Sequence, residues 1–123
     1  MIGTTVEPST AIPEAFRRAL SESGVNLADE DIASVRGKSK KEAIAELLPG
    51  KASNGEQERV YARFKALLDD HYRAGGAKAL DGAIETFEWC RSIGARTALT
   101  TGFDSDIAKL LIDSLDWSQA VDT

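Results

Sequence analysis

The stretch GARTALTTGFD, at residues 94–104, combines a short apolar run with two adjacent threonines and a glycine. Its pattern predicts a strand from Ala95 to Thr101, followed directly by a helix. Backbone N–H groups at such a helix start, together with a threonine hydroxyl at the strand end, converge where open parallel sheets bind anions. The stretch therefore predicts a phosphate-binding turn at Thr100 and Gly102.

Helical periodicity and capping residues account for most of the remaining chain. They predict six helices, at about residues 13–23, 29–35, 40–48, 56–74, 82–93 and 105–115. The third begins with a capping box, Ser39 with Glu42, and the fourth carries the longest apolar stripe. Asp104 is expected to cap the last helix rather than to bind a metal. The chain is thus expected to be mostly helical.

The predicted strand at residues 95–101 has no predicted partner strand in this chain. Each buried backbone group left unpaired costs about 1–3 kcal/mol, so a strand enclosed by helices needs neighbours in a sheet. The fold class that we expect is therefore α/β, as a mostly helical fragment with one βα unit of a parallel sheet. The remaining strands would lie outside these residues or in a partner chain.

The composition argues against two classes of partner. A net charge of -5 over 123 residues does not suit a general nucleic-acid binder, which carries an excess of Lys and Arg on one face. No window approaches the roughly 20 apolar residues that a bilayer requires, and no signal peptide is evident, so a cytoplasmic location is expected. Locally, RGKSKK at residues 36–41 puts four cations within six positions. This run is either a site for a small anion or a solvated basic patch.

Three strings occur in order along the chain: GTTV at 3–6, RGKSK at 36–40 and ALTTGFD at 98–104. In this order, with a helical insert between them, they resemble the haloacid dehalogenase (HAD) superfamily of phosphohydrolases. The resemblance is strongest to its phosphonatase-like branch, that of phosphonoacetaldehyde hydrolase, and spans essentially the whole chain. It implies a Rossmann-like core with a helical cap inserted after the first strand. It also implies a Mg2+-supported aspartate nucleophile that takes up the phosphoryl group.

The resemblance divides the chain into a remnant of the first core motif at 1–8, a helical cap at 9–78 and a partial core at 79–123. It implies that the nucleophile precedes Met1 and that the lysine and acidic Mg2+ motifs follow the last helix, beyond these residues. The expected chain is thus truncated at both ends, holds no metal ligand of its own and is inactive alone. Mg2+ would be the cofactor of the full-length enzyme.

The resemblance also implies roles for the predicted turn and for the first string. Thr100 would be the catalytic hydroxyl that binds a phosphoryl oxygen, with Thr101 and Gly102 completing the substrate-binding turn. Gly3 and Thr4 match the Gly-Thr of the first motif and are expected to bind substrate as well. Without the resemblance, Thr100 is a β-favouring residue at a strand end and nothing more.

The second string assigns Gly37, Ser39 and Lys40 to a loop of the cap that closes over the substrate. In phosphonatases a lysine of this loop forms a Schiff base with an aldehyde substrate. That chemistry requires a neutral amine, with a pKa lowered by desolvation or by neighbouring cations. In relatives that act on sugar phosphates, the equivalent cation only binds the substrate. Both roles stay open for Lys40.

The expected ligand is a small phosphorylated or phosphonate substrate. Two alternatives to the phosphonatase-like hydrolase stay open at this point. One is a non-catalytic helical module that holds a phosphorylated ligand or a partner protein, and the other is a sugar-phosphate phosphatase or mutase of the same superfamily. The sequence also leaves open whether the chain forms a homodimer.

Overall fold

The computed structural model describes residues 1–50 and 52–122. Within them the chain forms α1 Ala11–Ser21, α2 Asp29–Ser34, α3 Lys40–Leu47, α4 Asn54–Arg73, α5 Ala83–Ser92, α6 Ser105–Ser114 and a 3-10 helix Trp117–Gln119. The six predicted α-helices are confirmed, with ends shifted by a turn or less. In this part of the chain, no helix combines the length and the hydropathy that crossing a membrane requires.

Side-chain caps set the starts of α3 and α4. Ser39 Oγ accepts a hydrogen bond from the Glu42 amide at 3.3 Å, and Glu42 Oε2 accepts one from the Ser39 amide at 3.2 Å. This reciprocal pair is the predicted capping box. At α4, Ser53 Oγ accepts a hydrogen bond from the Glu56 amide at 3.2 Å, and the helix therefore begins slightly before its predicted position.

α4 is the central helix, because α1, α3 and α6 all pack against it. Its buried face carries Phe64 and Leu68, which have no solvent exposure. The Phe64 ring stacks on Phe16 of α1, with ring centroids 4.5 Å apart and planes inclined by 30°. An aromatic pair of this kind adds roughly 0.5–1.5 kcal/mol beyond the burial of its area. The helices α1, α3, α4 and α6, called the helical unit below, therefore share one core, to which α6 contributes the buried Leu111.

The 3-10 helix, which the sequence analysis did not predict, ties the C-terminal part of the chain to α5. Trp117 is buried, and its ring meets Phe87 edge to face with centroids 5.0 Å apart. The preceding residue, Asp116, has a left-handed backbone with φ of 56°. This turn lets the chain leave α6 and insert Trp117 into the core at once.

The predicted strand at residues 95–101 is not formed within the described chain. Its backbone is bonded near each end: Met1 N donates to Thr100 O at 2.9 Å, and Asp122 N donates to Thr97 O at 2.8 Å. A β-ladder needs successive hydrogen bonds along a neighbouring strand, which these contacts do not provide. The mostly helical part of the predicted fold class is confirmed, whereas these residues do not form the parallel sheet unit.

The Tyr72 hydroxyl, on the buried face of α4, has no hydrogen-bond partner among the described residues. Burial raises the pKa of Tyr72 to about 12, because the phenolate is not solvated there. In the unfolded chain the phenol ionises near its ordinary pKa of about 10. The stability that this group contributes is therefore present below pH 10 and is lost as the pH rises from about 10 to about 12.

Replacing Tyr72 by phenylalanine is expected to remove this loss, which amounts to at most about 1.4 kcal/mol per pH unit. At pH 7 the same substitution should leave the free energy of unfolding unchanged or raise it by roughly 1 kcal/mol, since a buried unpaired hydroxyl is removed. Denaturant titrations at pH 7 and pH 11 measure both effects. A loss of more than 1 kcal/mol at pH 7 would mean that the hydroxyl is paired after all.

Candidate functional site

A cavity of about 790 Å³ opens between the helical unit and the turn that precedes α6. Its wall is drawn from four stretches that are distant in sequence, at residues 1–2, 8–16, 32–40 and 100–103. Small-molecule sites typically occupy about 300–1,000 Å³. The cavity thus has the size of a ligand site, and it joins the second and third strings of the sequence analysis.

The turn at residues 100–102 is held from both sides. Thr101 Oγ1 accepts a hydrogen bond from the Phe103 amide at 3.2 Å, so this hydroxyl shapes the turn. The Thr100 carbonyl accepts the hydrogen bond from Met1 N, which anchors the backbone just before the turn. Both contacts preorganise the turn at the edge of the cavity.

The loop at residues 36–40 leads into α3. Gly37 has φ of 86°, a left-handed conformation that favours glycine, and it allows the chain to reverse between α2 and α3. Ser39 then caps α3, so its hydroxyl is engaged with Glu42 and does not line the cavity. The loop is therefore fixed by local structure before any ligand binds.

Lys40, the first residue of α3, is half-buried beside two aromatic rings of the cavity wall. Its Nζ lies 5.9 Å from the Phe16 ring centroid and 5.5 Å from the Phe103 ring centroid, within cation–π range. Burial lowers the pKa of Lys40, and the Asp104 carboxylate opposes that change. A cation in such a partly desolvated place attracts an anion more strongly than an exposed lysine does.

The other cations of the loop differ from Lys40. Lys38 lines the cavity but forms an ion pair with Glu46 of α3, which compensates its charge. Arg36 also lines the cavity and is exposed. The cavity wall therefore carries a net positive charge at one side, as a site for an anion requires.

The structure brings some of the predicted site residues together in the wall of the cavity. The predicted residues that line the cavity are Gly37, Lys40, Thr100, Thr101 and Gly102. Gly3 and Thr4 are exposed and do not line it, and neither does Ser39. Met1 and Ile2 occupy the position in the cavity wall that was expected of Gly3 and Thr4.

The sequence analysis missed the apolar side of the cavity. Besides Pro8 and Pro13, seven large apolar side chains line it: Met1, Ile2, Ile12, Phe16, Ile32, Val35 and Phe103. The helical pattern assigns Phe16 to the core, and Phe16 is indeed buried, but it also borders the cavity. The i, i+4 spacing of Ile12 and Phe16 was a signal for a shared helix face, without indicating what that face covers.

Asp104 occupies the N-cap position of α6, but its side chain does not cap the helix. The Tyr61 hydroxyl of α4 donates a hydrogen bond to Asp104 Oδ2 instead. The predicted capping role of the side chain is therefore wrong, because a tertiary partner engages the carboxylate. Tyr61 itself is flanked by Lys41 and Lys65, whose Nζ atoms lie 5.2 and 5.0 Å from its ring centroid. This cluster connects the helical unit to the turn beside the cavity.

We expect the Tyr61–Asp104 hydrogen bond to contribute measurably to stability. Tyr61→Phe and Asp104→Ala should each lower the free energy of unfolding, and the double variant should show a coupling energy of about 1 kcal/mol. Denaturant titrations of the four proteins measure that coupling. Asp104→Asn, which keeps an acceptor oxygen, is the matched control and should retain most of the stability. A coupling energy of zero would contradict the hydrogen bond between Tyr61 and Asp104.

The resemblance to HAD enzymes implies Mg2+, and the described residues do not fit that ion. Within residues 1–50 and 52–122, no group of three or more His, Cys, Asp or Glu side chains could hold a metal ion. The cavity wall contributes none of these four residue types.

A comparison with solved structures finds a protein of similar fold. The chain is similar to a HAD family hydrolase from Deinococcus radiodurans R1, whose crystal structure holds bound phosphate and sodium. The TM-score is 0.58 and the identity 19%, over 99% of this chain and 52% of that chain. This chain therefore spans about half the length of the Deinococcus protein and shares its fold over that part. No protein-family model and no curated protein matches the sequence.

The likeness supports the HAD-type fold that the three strings led us to expect. At this level of identity it concerns the fold, and it does not distinguish the phosphonatase-like branch from other branches of the superfamily. The branch, the domain bounds and the roles of the site residues stay predictions.

Proposed function

We propose that this chain is the cap and part of the core of a HAD-type phosphohydrolase, and that its cavity binds the phosphoryl group of a small phosphorylated or phosphonate substrate. The observation that carries the proposal is the meeting of Lys40 with the turn at residues 100–102 in one cavity wall. A cation, a hydroxyl and backbone N–H groups are the donors that phosphate oxygens require. The phosphate bound to the Deinococcus hydrolase of the same fold supports the proposal.

In this proposal Thr100 and the backbone of Gly102 bind phosphoryl oxygens, while Lys40 neutralises their charge. Thr101 acts indirectly, since its hydroxyl accepts from the Phe103 amide and holds the turn in shape. Gly37 provides the chain reversal that brings Lys40 to the cavity. Gly3, Thr4 and Ser39 are left out of the proposed binding set, because they lie outside the cavity wall.

We assign residues 1–8 to a remnant of the first core motif, residues 9–78 to the cap and residues 79–123 to the partial core. Support comes from the cavity, whose wall joins residues 9–16 and 32–40 of the proposed cap to the turn at 100–103 of the proposed core. The cavity has walls from both parts. A substrate held there would therefore be enclosed between cap and core.

Lys40 is suited to two roles in such an enzyme. Burial lowers the pKa of Lys40, which favours a neutral amine that forms a Schiff base, whereas the Asp104 carboxylate favours the ammonium that only binds the anion. Borohydride treatment of this chain together with an aldehyde-bearing phosphonate distinguishes them. A stable adduct at Lys40 would establish the imine, and the absence of an adduct would leave the cationic role.

The proposal is tested by titrating the purified chain with inorganic phosphate and following backbone amides by NMR. We expect the shifts to concentrate at the amides of the 36–40 loop and of the turn at 100–103. Shifts confined to other regions, or none at millimolar phosphate, would contradict the proposal. Because no carboxylate lines the described cavity wall, we also expect no Mg2+-dependent phosphatase turnover by the 123-residue chain itself.

A second candidate is a module that binds a phosphorylated ligand without performing chemistry. The same lack of a carboxylate in the described cavity wall favours it. Phosphate binding by this chain is common to both candidates. Turnover by a longer version that contains further core strands would support the hydrolase, whereas binding without turnover in that version would support the module.

A further inference from the structure

The cavity has a polar side and an apolar side that meet at Lys40. The polar side comprises the basic loop and the turn at residues 100–102. The apolar side includes Ile12 and Phe16 of α1 and Ile32 of α2, and its other members are Met1, Ile2, Pro8, Pro13, Val35 and Phe103. Because the Lys40 Nζ lies within 6 Å of both the Phe16 and the Phe103 rings, an anion bound to it would have apolar surface directly beside it.

The apolar side offers little to a ligand that carries many hydroxyl groups. No Asp, Glu, Asn, Gln or His belongs to the cavity wall within residues 1–50 and 52–122. Carboxylate, amide and imidazole groups of these kinds accept from, and orient, the hydroxyls of a sugar. The hydroxyls that the wall does hold are those of Ser9, Thr100 and Thr101, and Thr101 Oγ1 already accepts from the Phe103 amide. Hydroxyls placed against isoleucine and phenylalanine would lose their hydrogen bonds to water without replacement. An apolar group in the same place would instead be removed from water favourably.

We propose that the organic part of the ligand is small and apolar, aliphatic or aromatic, and that the site disfavours sugar phosphates. The inference rests on the proposed function, since it takes the polar side as the phosphoryl site. It selects within the substrate class stated above, and it weighs against the sugar-phosphate alternative. Ile32 is the most informative residue for a test, because α2 contributes no buried residue to the core and a substitution there spares the fold.

The test compares four probes by calorimetric titration of the purified chain: inorganic phosphate, methylphosphonate, phenylphosphonate and glucose 6-phosphate. A pH of 8.5 keeps all four largely dianionic, so that charge is matched. We expect phenylphosphonate to bind at least tenfold more tightly than methylphosphonate. Glucose 6-phosphate should bind no more tightly than inorganic phosphate.

Ile32→Ser probes the apolar side directly. It should weaken phenylphosphonate binding threefold or more and weaken methylphosphonate binding by a smaller factor. Ile93→Ser is the matched control, because Ile93 is exposed and lies outside the cavity wall, and it should change neither affinity.

The outcomes separate the inference from the function on which it rests. If none of the four probes binds, the proposed function fails and the inference fails with it. If phosphate and methylphosphonate bind, but phenylphosphonate gains nothing or glucose 6-phosphate binds more tightly than phosphate, the inference is overturned and the phosphoryl site stands. Equal effects of Ile32→Ser and Ile93→Ser on phenylphosphonate would likewise overturn it.

Discussion

Replacing Lys40 by methionine is expected to weaken the binding of inorganic phosphate to this chain by tenfold or more. Hydrogen bonds to charged groups contribute about 1.5–3 kcal/mol, and 1.4 kcal/mol corresponds to a factor of ten in affinity. Methionine is slightly shorter than lysine and lacks Nζ, but it keeps an unbranched apolar stem at this position beside the Phe16 and Phe103 rings, so the fold should be retained. The expected loss therefore reports on the ammonium group itself. Calorimetric or NMR titration with phosphate at pH 7 measures it.

The control for Lys40→Met is Lys78→Met, which removes the same charge from an exposed position outside the cavity wall. It should reduce phosphate affinity by less than twofold, through long-range electrostatics alone. Equal losses in the two variants would mean that net charge, and not a site at Lys40, attracts phosphate. An unchanged affinity in Lys40→Met would remove Lys40 from the proposed site.

The pH dependence of the wild-type chain provides a second measurement at the same residue. Because burial lowers the pKa of Lys40, its ammonium loses the proton at lower pH than an ordinary lysine does. In the pH range where phosphate is a dianion, its affinity should therefore be highest below the pKa of Lys40 and should decline as the pH rises through it. In Lys40→Met this decline should be absent.

Replacing Phe64 by alanine is expected to lower the free energy of unfolding by about 3–5 kcal/mol. Phe64 has no solvent exposure and stacks on Phe16, so its removal leaves a cavity where α1 and α4 pack together. For a domain of this size, such a loss is a large part of the typical total stability of 5–15 kcal/mol. Phosphate affinity should fall too, because Phe16 loses its support beside Lys40.

Chemical denaturation of Phe64→Ala and of Leu67→Ala provides the comparison. Leu67 lies on the same helix but is half-buried, so its truncation should cost less than half as much. Similar costs for the two variants would mean that the core is not centred on α4. A Phe64→Ala protein that is as stable as wild type would contradict the packing described for α1 and α4.

The helices were predictable because the interactions that set them are local. Ser39 and Glu42 are three residues apart, and their reciprocal hydrogen bonds form in any chain that turns into a helix there. The apolar spacing from Val60 to Tyr72 similarly required only the helical repeat. The 3-10 helix at Trp117 escaped prediction because it depends on a distant ring, that of Phe87.

The predicted strand at residues 95–101, unlike the helices, depends on distant parts of the chain. Its composition favours an extended chain, but a strand exists only through hydrogen bonds to a neighbouring strand. The described chain supplies contacts near its ends, from Met1 and Asp122, and no ladder. Local propensity was therefore insufficient to decide whether a sheet is formed.

The candidate site likewise has features that the sequence predicted and features that depend on tertiary contacts. Lys40 and the turn at residues 100–102 were visible in the sequence as a basic loop and as a hydroxyl-glycine motif, because residue chemistry and turn preference are carried by a few adjacent positions. Their meeting in one cavity, the apolar wall beside Lys40 and the hydrogen bond of Asp104 to Tyr61 depend on contacts between residues tens of positions apart. Such contacts follow from the packing of α1, α3 and α6 around α4, which no local pattern specifies. The sequence by itself determined the helices and the chemistry available to the site, and only the tertiary structure decided which of those groups share a surface.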